Sequence, residues 1–175
     1  MEKMSSFEYR LRVEARQRGF RPSTLSAWLL YAPGVSRKSA KIAALIEECR
    51  GQALDAHYLG YFECFNRQLF YEAHDVLEEL WLADRKGPND AFYKGLIQLA
   101  GAFVHLQKNR LRPSAALLKL ARANFEKYPP VHQHLNVRQV SKVIDEWLEQ
   151  IESHGFAVNP LSSAKPPRLG LLTPT

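Results

Sequence analysis

Apolar positions recur along this chain at three- and four-residue intervals, and no segment alternates with period two between turns. The pattern predicts helices throughout. Phe7 to Arg18 forms a first helix, closed by Gly19 and Pro22. Ser23 caps a short one through Leu30 that Pro33-Gly34 ends, and Ser36 caps a third striped by Ile42, Leu45, Ile46 and Cys49. Asp55 precedes a helix with Tyr58, Tyr61, Phe62, Phe65 and Leu69 at helical spacing. The next spans Phe70 to Asp84, with Ala73, Val76, Leu77, Leu80 and Trp81 on its apolar side, until Lys86-Gly87-Pro88-Asn89 breaks it.

Asp90 to Lys108 is apolar nearly all round, which marks the central helix of a bundle. Pro113 suits the first turn of the helix that carries Leu117, Leu120, Ala121 and Phe125, and Pro129-Pro130 ends it. Asn136 and Gln139 resemble a capping box opening a last helix on Val140, Val143, Ile144, Trp147 and Ile151, which His154-Gly155 closes. The fold class that follows is all-α: a compact bundle of about six to eight helices around one central apolar helix. Its organisation reads as a basic helical extension over 1–56, a core over 57–155 and a Pro-rich extended tail over 156–175, whose leucines dock on the bundle. Asn66-Arg67 and Asn109-Arg110, 43 residues apart, form a faint internal echo of two helical hairpins.

Composition adds limits. A chain of 175 residues fits one domain with a core of ordinary size. Its start has no apolar run of the kind a secretory signal needs, and no stretch is long enough to span a membrane. Two cysteines cannot build a disulfide framework or a cysteine zinc site, so a cytoplasmic location is the expectation. The net charge of +6 is uneven: residues 1–50 carry ten Lys/Arg against five Asp/Glu, whereas residues 51–110 are slightly acidic. A basic arm fits nucleic acid, but Glu8 with Arg12 and Glu14 with Arg18 pair at i,i+4, as on a solvated helix face.

Candidate chemistry concentrates in Glu72-Ala73-His74-Asp75-Val76-Leu77-Glu78-Glu79-Leu80-Trp81. On a helix His74 and Glu78 are i,i+4 neighbours, with Trp81 on the same stripe at the edge of the apolar face. A partly buried imidazole and carboxylate need partners. Gln98 and His105 share a stripe of the central helix with Ala91, Gly95, Gly101 and Ala102, small residues that admit a neighbouring helix. The expectation is that His74 and Glu78 meet Gln98 and His105 there. His74, Glu78 and His105 would then offer three ligands to one divalent metal ion; without metal, the same groups form a structural polar network. Asp75, Glu79 and Asp84 read as a solvated acidic side, and His132 and His134 as surface.

The segment from His74 to Trp81 fits the H-x-x-x-E-x-x-W pattern, and Gly95-Leu96-Ile97-Gln98-Leu99-Ala100 followed by His105 fits a second signature. Together they make residues 58–120 resemble the family catalogued as domain of unknown function 309. That resemblance implies a small all-helical domain whose His/Glu motif is a proposed metal site. It carries over to His74, Glu78 and Trp81, and with them to Glu72, Gln98 and His105. Three functional classes stay open: a scaffold or binding module with a buried His/Glu site, a metal-dependent hydrolase-like enzyme, and a nucleic-acid accessory protein acting through residues 1–50. Neither the partner nor the oligomeric state is fixed by the residues.

Overall fold

The computed structural model describes residue 44 and residues 46–172, all within one compact unit, Lys38–Thr175. The expected helices over Phe7–Arg18 and Ser23–Leu30 lie outside the described residues, as does most of the one capped by Ser36. Five α-helices follow among the described residues: α1 (Ala56–Asn66), α2 (Phe70–Ala83), α3 (Asp90–Gln107), α4 (Leu111–Phe125) and α5 (Val137–Ser153). The compact helical bundle is as the periodicity predicts. No helix among them is long and apolar enough to cross a membrane.

Local chemistry sets the ends of these helices. The Asp55 carboxylate accepts from the amides of His57 (2.8 Å) and Tyr58, and the Asn136 side chain accepts from that of Gln139 at 2.9 Å. Each pairs donors that the first turn of a helix leaves open. At its other end, α1 closes with Gln68 at φ 62°, where the amides of Gln68 and Leu69 donate to the carbonyls of Phe65 and Cys64. Asn109, at φ 54°, closes α3 in the same way, its amide and that of Arg110 donating to Leu106 and His105. Both are left-handed helix-terminating motifs. The two helix ends that match are thus Gln68 and Asn109, not the Asn66 and Asn109 that the sequence echo pairs. Leu69 and Arg110 alone then lead into α2 and α4.

The central helix is α3, with thirteen of its 18 residues buried. It packs against α2 and α4, while α1 lies on α2 and α5 on α4. Rings tie these layers together. Phe103 meets Phe65, Phe70 and Trp147 at centroid separations of 5.5, 5.0 and 4.9 Å, so one α3 side chain touches α1, α2 and α5. Ile46 packs with the buried Val76 of α2.

Two features depart from the all-helix, extended-tail reading. Val131–His132 (β1) and Leu135–Asn136 (β2) pair as a two-stranded antiparallel hairpin. Strands of two residues show no alternation, so periodicity could not reveal them. Pro160–Ser162 forms a 3₁₀ turn, capped by Asn159, in a tail otherwise free of helix. The tail leucines do dock: Leu169 is buried, and Leu171 bridges to Leu135.

The hairpin turn consists of Gln133 and His134 at φ 47° and 59°, a left-handed pair usually built from Asn-Gly. Both residues therefore hold strain that a β-carbon creates. Replacing them together, Gln133→Asn with His134→Gly, is expected to raise unfolding stability by about 1 kcal/mol, read from urea midpoints.

Candidate functional site

Helix α2 presents its polar groups where α1, α3 and the preceding segment leave it partly covered. His74 is 2% exposed, and Asp75 and Glu78 are half-buried. His74 Nδ1 lies 3.1 Å from Asp75 Oδ1. One ligand atom from each of His74, Asp75 and Glu78 falls within 4.8 Å of the others. Burial pushes the Glu78 carboxyl above the ordinary carboxylate range; His74 pulls it back, and Asp75 and Glu79 push it further. A cation beside these groups would relieve that electrostatic load.

The set suits a divalent ion chemically. Ligands at about 2.1 Å from a common ion sit about 3 Å apart, close to the separation His74 and Asp75 already have. The Glu78 carboxylate, within 4.8 Å of both, would have to come closer to complete the set. An imidazole and two carboxylates form a mixed N/O donor set of the kind zinc and manganese take.

The hydrogen-bond partner of Gln98 is not the one expected. Gln98 turns to α4, where its Oε1 accepts from Asn124 Nδ2 at 2.8 Å. The small residues around it face α4 as well: a β-carbon on Gly95 would meet Phe125 at 3.1 Å, and one on Gly101 would meet Leu117 at 3.2 Å. These glycines draw α4, and not α2, against α3. His105 is on that helix but outside the three-residue group. Among the described residues, the three groups brought within 4.8 Å of one another are His74, Asp75 and Glu78, where the sequence spacing points to His74, Glu78 and His105.

Asp75, expected on the solvated acidic side, has a side chain only 17% exposed. Its spacing of three residues from Glu78 puts the two side chains within reach of each other, but spacing alone does not show that packing covers Asp75. Glu72 sits half-buried in the first turn of α2; burial pushes the Cys64 thiol up, and the Glu72 charge adds to that. Trp81 is buried, and its indole donates to Asp90 Oδ1 at 2.8 Å. Arg85 and Lys94 lie 5.5 and 5.6 Å from its ring, so Trp81 joins α2 to the start of α3. Glu79 reaches His57 Nε2 at 3.3 Å, and Asp55 reaches Nδ1 of the same ring at 3.4 Å, tying α1 to α2. His132 is half-buried, 2.7 Å from Asn89 Oδ1 and packed on Phe92 and Tyr128, and serves the core, not a His-x-His ligand pair.

His105 has a different significance. Burial, followed by the charges of Arg110 and Lys108, lowers its pKa from 6.5 to about 4. Its Nδ1 has no hydrogen-bond partner among the described residues. The folded protein thus keeps this ring neutral at a pH where the unfolded chain protonates it. Stability is fully present above about pH 6.5 and falls as pH drops toward 4, by up to about 3 kcal/mol. His105→Leu is expected to flatten that part of the profile, measured by denaturation between pH 4.5 and 7.5.

Residues 58–117 match the model of the family described as Domain of unknown function (DUF309). The resemblance read from the two signatures is thereby shown. The DUF309 match runs from Tyr58 in α1 through α2 and α3 to Leu117 in α4, and so contains both signatures. No curated protein and no solved structure matches the chain.

Proposed function

We propose that this protein is a small helical scaffold domain that binds one divalent cation through His74, Asp75 and Glu78. The observation that supports this reading is the closeness of the three donors, each offering a ligand atom within 4.8 Å of the others on one helix. The backbone of α2 fixes all three, and the packing of α1 and α3 against α2 holds that backbone still. Three protein donors leave positions on the ion for water, as an enzymatic use of the same site would require. Both cysteines are free and buried, which suits a reducing cytoplasm.

The test is a calorimetric titration of chelator-treated protein with manganese or zinc, together with metal analysis after dialysis. One ion per chain is expected. A protein that binds neither ion above background would leave the His74–Asp75 contact with a structural role and end this reading.

A further inference from the structure

The C-terminal arm is held by contacts that read backbone more than side chain. Asn66, the last residue of α1, uses its amide on both sides of one residue: Nδ2 donates to the Leu169 carbonyl and Oδ1 accepts from the Leu169 amide, each at 2.8 Å. A neighbouring β-strand would satisfy Leu169 in the same way. Two residues on, Leu171 forms an antiparallel bridge with Leu135 of β2, and the Leu172 amide donates to the His134 carbonyl at 2.7 Å. Between these anchors, a β-carbon on Gly170 would meet nothing within 4 Å.

The surface between Asn66 and β2 therefore has the elements of an extended-peptide site. It pairs backbone groups at fixed places, buries one leucine (Leu169 is 5% exposed), and leaves the next position open to any side chain. The arm reaches it through Lys165-Pro166-Pro167-Arg168, which forms neither helix nor strand. The strained turn gains as well: the carbonyls of Gln133 and His134 are taken by Tyr58 Oη and by the arm. We propose that this surface is a groove for an extended Leu-x-Leu segment, filled in cis by residues 169–172, and that such a segment presented in trans can replace the arm.

Tethering gives the arm a high effective concentration, so the wild-type groove should bind added peptide weakly. Leu169→Asp in the full chain places a charge where a leucine was buried and should expel the arm. A labelled synthetic peptide of residues 165–175 is then expected to bind that variant at least tenfold more tightly than wild type, by fluorescence anisotropy. Adding Asn66→Ala should reverse the gain, and a peptide with aspartate in place of its first leucine should not bind. A folded Leu169→Asp protein that takes up no peptide overturns the proposal. Should that variant not fold, hydrogen exchange on wild type decides. Amides of Leu169 and Leu172 that exchange well ahead of those in α3 support an arm that leaves its groove, and exchange at the same rate as α3 overturns it.

Discussion

Phe103→Ala is expected to cost about 3–5 kcal/mol of unfolding stability. Phe103 is fully buried in the last third of α3, the most buried of the described helices, and its ring touches Phe65, Phe70 and Trp147. Truncation would open a cavity facing three other helices at once, and none of them can close it alone. A domain of this size has about 5–15 kcal/mol in total, so the variant should lose a large share of its margin. Urea denaturation checks this, with a lower midpoint and an unchanged slope as the expected result. Leu82→Ala serves as the comparison: Leu82 is 46% exposed, and its loss should move stability by no more than about 0.5 kcal/mol. Equal effects from the two variants would mean that Phe103 is not the common point of contact described above.

The second large effect concerns the cation. A ligand present at about a hundred times its dissociation constant stabilises the folded state by about 2.7 kcal/mol, or about 5–10 °C in melting temperature for a chain of this length. Wild type should show that shift with manganese or zinc. His74→Ala, Asp75→Asn and Glu78→Gln should each lose it, because three donors are few and every one counts. His105→Ala should keep it. The last two expectations separate the proposed ligand set from one drawn on spacing alone, which would include His105 and omit Asp75. Loss of the shift in His105→Ala with retention in Asp75→Asn would restore the spacing-based set.

Helix positions were legible in the sequence where a boundary has a local chemical cause or the apolar pattern is strong. Asp55 and Asn136 cap where their side chains reach free amides, and the all-round apolarity of Asp90–Lys108 could belong only to a helix enclosed by others. The direction of the polar stripe on α3 was not legible. A helical wheel places Gly95, Gln98 and Gly101 on one face, but α3 has a helix on each side and the wheel does not say which one that face meets. The deciding contacts, Asn124 with Gln98 and Phe125 with Gly95, come from residues distant in the chain. Asp75 was missed for a related reason: it lies toward the polar side of α2, and only the packing around that side removes it from solvent. The hairpin was hidden because Gln133-His134 is not a typical turn pair and its strain is offset by Tyr58 and the arm.

The joins at Leu69 and Arg110 have a consequence for how this chain can change in length. With only three residues between α1 and α2 (Arg67, Gln68 and Leu69), and again between α3 and α4 (Lys108, Asn109 and Arg110), the turn is tight and holds the helix that follows in phase with the one before. One inserted residue at Leu69 would turn α2 by about 100° about its axis, swinging His74 and Val76 away from their neighbours. The same insertion at Arg110 would carry Asn124 off Gln98. Length can vary instead where the chain runs longer between elements, at Asp84–Asn89 and over residues 154–168. The molecule is thus built from two helical pairs of fixed phase, and change in its chain length is confined to the segments outside them.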